Sequence, residues 1–107
     1  MKKLLPLLLL SLFCMPLLQA EDDSLSLYNS HCRSCHNSNG DGKTVAAQKM
    51  VIPDLRSAQI QRRSDDELFQ TIGNGSEHKQ YPHTYLRKGM TDVQVRQLVS
   101  YLRTLKR

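Results

Sequence analysis

Residues 32–36 read Cys-Arg-Ser-Cys-His, and this pentapeptide carries the strongest chemical signal in the 107-residue sequence. Two thiols three positions apart at the end of a helix can both add to the vinyl groups on one edge of a haem. The adjacent His36 then lies under the ring, where its imidazole can bind the iron. The motif therefore predicts one covalent haem c, attached through Cys32 and Cys35, with His36 as the proximal iron ligand.

Two other uses of the cysteines compete with this one. Cys32 and Cys35 combine with His78 and His83 into a CxxC and an HxxxxH pair, and these residue types also bind zinc. The segment between the two pairs, residues 36–77, is far longer than the spacer of a compact zinc finger. A redox-active dithiol normally follows a strand of a βαβ unit, and no strand pattern precedes the motif. Haem attachment is the preferred interpretation.

Helical periodicity appears on both sides of the motif, and no alternating strand pattern of useful length is present. The first helix is predicted over residues 23–33, with Leu25, Tyr28 and Cys32 on one face. The motif is therefore expected to lie at the end of this helix.

Two capping boxes mark the starts of the later helices. Ser64 and Glu67 begin a short second helix, which Gly73 is expected to stop. Thr91 and Gln94 begin a third helix, whose apolar face continues to the C-terminus. Long polar loops separate the helices, and the chain contains only two Phe, four Tyr and no Trp. The predicted fold class is all-α, with three or more short helices wrapped around a prosthetic group that completes the core.

Residues 1–20 have the organisation of a secretory signal peptide. Two lysines come early, an apolar run covers residues 4–18, and Ala20 precedes an acidic stretch. A membrane-spanning helix needs about 20 apolar residues, and Pro6 and Pro16 interrupt this run. We therefore expect export to the periplasm, cleavage after Ala20, and one mature domain over residues 21–107 without a membrane span.

The order of these motifs resembles that of class I c-type cytochromes over residues 24–105. Besides CxxCH, the resemblance rests on five short stretches: NGDGK at 39–43, PDL at 53–55, IGNG at 72–75, YP at 81–82 and VSYLRTL at 99–105. It implies a cytochrome c-like fold in which the carbonyl of Pro53 accepts a hydrogen bond from His36. It also implies that Tyr28, Tyr101 and Leu102 pack where the first and last helices cross.

The sequence departs from the family at the sixth iron ligand. Family members commonly use a methionine that precedes a proline in the last loop, and this chain has Tyr81 there. Met90 directly precedes the helix cap Thr91, where a hydrophobic residue typically packs against the fourth helical residue, here Val95. Met50 lies before Pro53 and is expected to fill core space.

Two histidines remain in the loop that carries the sixth ligand. His83 precedes the last helix by about the interval that the family uses for its ligand, and it is the predicted distal ligand. Met90 and His78 are the alternatives, together with an open or water-bound position. For His78 a solvent-facing side chain is the simpler expectation, and His31 is expected on the surface.

The resemblance implies a non-enzymatic electron carrier. The rival functions are a haem-based ligand-binding or sensor module, a haem subunit of a larger oxidoreductase complex, and a small peroxidase. The net charge of +5, with Arg87 and Lys88 in the distal loop, predicts a redox partner with an acidic docking face. Export makes a nucleic-acid partner unexpected, and the domain is expected to be a monomer.

Overall fold

The computed structural model describes residues 22–78 and 82–105, so the predicted signal peptide at 1–20 and Tyr81 lie outside the described residues. Within those ranges the chain forms five helices and no strand, as the all-α prediction requires. In chain order they are α1 (Ser24–His31), α2 (Arg33–His36), α3 (Ala58–Gln61), α4 (Asp65–Asn74) and α5 (Asp92–Thr104). None of the described helices combines the length and the apolar character needed to cross a bilayer.

Cys32 divides the predicted first helix into α1 and α2. Its backbone N–H still donates to the carbonyl of Tyr28 at 2.8 Å, and its own carbonyl accepts from the N–H of His36 at 2.9 Å. The helical path therefore continues past its predicted end and includes His36. The buried Tyr28 hydroxyl donates to the carbonyl of Asn37 at 2.6 Å, which satisfies a carbonyl just beyond α2.

The capping box predicted for α4 is confirmed. The Ser64 hydroxyl accepts from the N–H of Glu67 at 3.1 Å, and the Glu67 carboxylate accepts from the N–H of Ser64 at 3.4 Å. The predicted stop at Gly73 is wrong, because the helix continues to Asn74 and Gly75 adopts the left-handed conformation with φ of 78°. Gly73 serves close packing instead, since a Cβ there would lie 2.8 Å from a methyl carbon of Leu86.

The capping box of α5 is also confirmed. The Thr91 hydroxyl accepts from the N–H of Gln94 at 3.2 Å, and the Gln94 side chain accepts from the N–H of Thr91 at 2.9 Å. These reciprocal bonds satisfy backbone donors that the first turn of a helix leaves without partners.

The core forms on both sides of α5. One cluster contains Tyr28, Leu55, Leu98 and Leu102, and the other contains Leu68, Phe69, Val95 and Val99. The rings of Tyr28 and Tyr101 lie 4.6 Å apart between their centroids, which confirms the packing expected where the first and last helices cross.

The sequence did not predict α3, which is too short to show a periodic pattern. The Gln61 side-chain amide at its end donates to the carbonyls of Leu55 and Leu102, both at 2.9 Å. The Arg103 guanidinium donates to the carbonyls of Gln61 and Arg63. These bonds hold the segment before α4 against the last turns of α5.

Candidate functional site

A cavity of about 960 Å³ lies among the helices. Protein pockets for small ligands and cofactors typically measure about 300–1,000 Å³, so this one is large for a chain of 107 residues. Its wall contains the side chains of Cys32, Cys35 and His36 from the CxxCH motif, and those of His78 and His83 from the loop after α4. The structure thus brings the cysteines and histidines of two segments that are distant in the sequence to the wall of one cavity.

Both cysteines on the cavity wall are free thiols and are partly buried. Burial, and secondarily the neighbouring Cys35, raises the pKa of Cys32 to about 12. Cys32 is therefore a protonated thiol at neutral pH. When a thioether forms, the S–H of such a thiol is added overall across a vinyl double bond.

His36 is held by the backbone around it. Asn37 takes a positive φ of 71°, and the chain then turns so that the N–H of Gly42 donates to the carbonyl of His36 at 2.9 Å. Burial, and secondarily His78, lowers the pKa of His36 to about 4. Its imidazole is therefore neutral at pH 7, which is the form that binds a metal ion.

The Nδ1 atom of His36 is buried without a hydrogen-bond partner. Pro53 lies on the wall of the same cavity. However, the expected hydrogen bond between its carbonyl and Nδ1 is not present in this structure, so that bond stays a prediction. An unsatisfied buried nitrogen is costly, and Nδ1 is the atom that the predicted bond to the Pro53 carbonyl would satisfy.

The end of α4 positions the second pair of histidines. Gly75 ends the helix, and a Cβ at this position would lie 2.8 Å from the backbone carbonyl oxygen of His83. Further along, the N–H of Tyr85 donates to the carbonyl of Ile72 at 3.4 Å. A glycine is therefore required where the returning loop passes closest to the helix, and this close approach brings His83 to the cavity.

Three imidazoles meet at this point. The ring centroids of His36 and His83 are 6.2 Å apart, and those of His78 and His83 are 4.2 Å apart. One nitrogen from each ring lies within 4.8 Å of the others. Burial, with smaller contributions from His78, His36 and Lys88 in that order, lowers the pKa of His83 to about 4. Imidazoles at such spacing are suited to hold a transition-metal ion between them.

The position of His78 differs from the solvent-facing one expected from the sequence. Its Nδ1 atom is buried without a hydrogen-bond partner, and its ring lies on the cavity wall. The turn at 76–77 after α4 directs the chain inward here, and Glu77 takes a positive φ of 59°. Single-sequence patterns do not show such a turn.

The methionines occupy two different places. Met90 packs against both core clusters, one of which contains Val95, and borders a smaller cavity of about 450 Å³. This placement agrees with the helix-staple role predicted for it. Met50 lies on the wall of the large cavity, and its expected role as core filler stays a prediction.

The described residues do not assemble the zinc set that the sequence left open. The cluster with metal-ligand spacing contains His36, His78 and His83, and neither Cys32 nor Cys35 belongs to it. The cysteines are instead separate from the imidazoles on the same cavity wall. This arrangement fits a haem, which is attached through thiols at its edge and is bound by nitrogen at its iron.

Two cavity-lining residues were missed by the sequence analysis. Arg63 lies at the rim, where its guanidinium donates to the Thr71 hydroxyl and to the Glu77 carboxylate, both at 3.0 Å. Tyr85 stacks its ring on that of His83, with 5.2 Å between centroids and 17° between planes. Neither residue belongs to a periodic pattern, and the only available signal was that Tyr85 follows the predicted ligand in the same loop.

Comparison with known proteins agrees with this geometry. A family model described as Cytochrome c matches residues 25–106. A solved structure titled KustC0563 c-type cytochrome is similar with a TM-score of 0.66 and 26% sequence identity, covering 79% of this chain and 99% of that chain. No curated protein matches the sequence.

Proposed function

Because the chain belongs to the cytochrome c family, we propose that it is a periplasmic carrier of single electrons with one covalently bound haem c. The family binds haem c and generally transfers electrons, and the CxxCH motif of this chain fits that cofactor. The observation that carries the proposal is the pair of neutral imidazoles, His36 and His83, on the wall of one cavity that also contains Cys32 and Cys35.

The residues on the cavity wall would have different roles toward the haem. Cys32 and Cys35 would form the two thioether bonds, and His36 would bind the iron on the proximal side. Met50 and Ile52, with Leu98 of α5, line the cavity and exclude water from the ring. When bound, the haem supplies an iron that accepts or releases one electron.

Arg63 is proposed to face the carboxylate groups of the haem. It lines the cavity and is only partly exposed, and a guanidinium pairs well with carboxylates. The Glu77 carboxylate and the Thr71 hydroxyl already fix its orientation. A positioned cation at the rim would hold a haem carboxylate without a large loss of side-chain freedom.

His83 is proposed as the distal iron ligand. It is neutral at pH 7, lies near His36 in the cavity, and is held by the tight return of the loop at Gly75. Met90, by contrast, packs in the core and does not line the large cavity. His78 also lines that cavity and remains the alternative ligand. Two protein nitrogens on the iron would leave no position for a substrate, which would favour a carrier over an enzyme.

The exposed charges near the cavity support the proposed partner. Arg87 and Lys88 are exposed in the distal loop, and Lys88 also contributes to the cavity wall. A partner with an acidic face would be steered to this side of the molecule. The proposed working form is a monomer that docks transiently.

Carbon monoxide binding tests the carrier function against the ligand-binding one. The protein would be produced in a strain that matures c-type cytochromes and reduced before the gas is added. A carrier with two protein ligands should bind carbon monoxide slowly or not at all. Fast and complete binding by the wild-type protein would favour the sensor or ligand-binding module.

A further inference from the structure

Tyr85 is held in place by hydrogen bonds from both its backbone and its side chain. Its backbone N–H donates to the carbonyl of Ile72, and its carbonyl accepts from the N–H of Met90 at 3.0 Å. Its hydroxyl donates to the backbone carbonyl of His31 at 3.1 Å. The ring is therefore fixed at both ends, by α4 on one side and by the end of α1 on the other.

The fixed ring lies flat against one histidine. The planes of Tyr85 and His83 differ by 17°, whereas the planes of His78 and His83 differ by 55°. Offset stacking of this kind is a favourable arrangement for two aromatic rings. Tyr85 therefore offers a template for the plane of the His83 ring.

The hydrogen bond to His31 adds a connection across the site. His31 directly precedes Cys32, so the Tyr85 hydroxyl links the distal loop to the segment that carries the haem attachment. The His31 ring also meets the Tyr85 ring edge-on, with 5.2 Å between centroids. The Lys88 ammonium lies 5.3 Å from the centre of the same ring, where it is attracted to the ring face. Together these contacts brace Tyr85 from several directions.

We infer that Tyr85 is a positioning residue that fixes the plane of the His83 imidazole and keeps His83, rather than His78, on the distal side of the haem. The inference rests on the proposed function, in which His83 is the distal ligand. Residues that orient metal ligands commonly tune both the affinity of the ligand and the properties of the metal. A loosened His83 would leave more easily and would allow foreign ligands to reach the iron.

The test measures how fast carbon monoxide displaces the distal ligand in the reduced protein, and the electron paramagnetic resonance spectrum of the oxidised protein. Tyr85→Leu removes the flat ring, and Tyr85→Met removes it while filling more of its volume. Either variant should increase the displacement rate by about threefold to tenfold, the factor that corresponds to one aromatic pair. Either should also shift the resonance spectrum, which depends on the mutual orientation of the two imidazole planes.

Two further variants serve as controls. Tyr85→Phe keeps the stacked ring but loses the hydrogen bond to His31, so its rate should lie between that of the wild type and that of Tyr85→Leu. Tyr101→Phe alters a tyrosine that packs on Tyr28 at the helix crossing and should change neither measurement. If Tyr85→Leu fails to fold, Tyr85→Met carries the same expectation.

Separate variants test whether His83 is the distal ligand. The claim about His83 and the claim about Tyr85 can therefore fail independently. His83→Ala should abolish the wild-type resonance spectrum, and His78→Ala should leave its type unchanged. If His78→Ala abolishes it and His83→Ala does not, the proposed ligand and the inference both fall. If His83 is the ligand but both Leu and Met at position 85 give wild-type rates and spectra, only the role of Tyr85 is refuted.

Discussion

The imidazole rings of His36 and His83 lie 6.2 Å apart between centroids, although 46 residues lie between them in the sequence. His36 is the last residue of α2, and His83 lies in the loop that returns from the end of α4. Two separate local structures thus bring a pair of neutral imidazoles to one cavity. The proposed haem site depends on both.

The cysteines are predicted to be needed for covalent attachment. Cys32→Ala and Cys35→Ala should each lose one thioether, and the double variant should remain apo-protein that does not fold, because the haem supplies much of the core. Mass spectrometry of protein from a strain that matures c-type cytochromes checks this directly. Recovery of the wild-type mature chain at its unmodified polypeptide mass would refute haem attachment.

His36→Ala is predicted to abolish the low-spin spectrum even when the thioethers form. The iron would lose its proximal nitrogen, and the thioethers cannot replace it. His31→Ala is the matched control, since His31 is exposed and lies outside the cluster of His36, His78 and His83. A wild-type spectrum in His36→Ala would show that the proximal ligand is another residue.

Gly75→Ala is predicted to weaken both the fold and the distal ligand. The substitution places a side chain at φ of 78° and brings its Cβ within 2.8 Å of the His83 carbonyl oxygen. Gly89→Ala is the control, because Gly89 also has a positive φ, of 95°, but its Cβ would meet nothing within 4 Å. Strain alone costs about 1–2 kcal/mol, so Gly75→Ala should destabilise more than Gly89→Ala in thermal unfolding. It should also speed the binding of carbon monoxide, which Gly89→Ala should not. Equal effects of the two variants would contradict the close approach at Gly75.

Replacing His83 is predicted to open the iron. His83→Ala should give a five-coordinate or water-bound haem that gains carbon monoxide binding. Two histidine ligands give a lower reduction potential than histidine with methionine, so the wild-type potential should lie toward the low end for c-type cytochromes. Equilibrium titration of both proteins measures the potential, and a high wild-type value would contradict histidine as the distal ligand.

The parts of this structure that local chemistry determines were predictable from sequence. The capping boxes at Ser64 and Thr91 placed the starts of α4 and α5, because each bond joins residues only three positions apart. The parts that depend on contacts between segments distant in the sequence were not predictable. Gly73 was expected to stop a helix, and only the position of Leu86 explains why a glycine lies inside it.

The same division holds for the candidate site. The CxxCH motif is local, and its Cys32, Cys35 and His36 lie on the cavity wall. The inward position of His78 and the stacking of Tyr85 on His83 depend on how the distal loop packs against α1 and α4. No periodicity or spacing encodes such packing, so the distal side of the site emerged only from the structure.

Met90 packs against both core clusters, and a methionine that serves as the predicted helix staple could not also bind iron. The most direct test is the absorption spectrum of the oxidised protein in the region of the methionine-to-iron charge-transfer band. We predict that the wild type lacks this band, and that Met90→Leu keeps the wild-type spectrum while losing about 1 kcal/mol or less of stability. A band that is present in the wild type and lost in Met90→Leu would assign the distal position to Met90 and contradict the histidine pair.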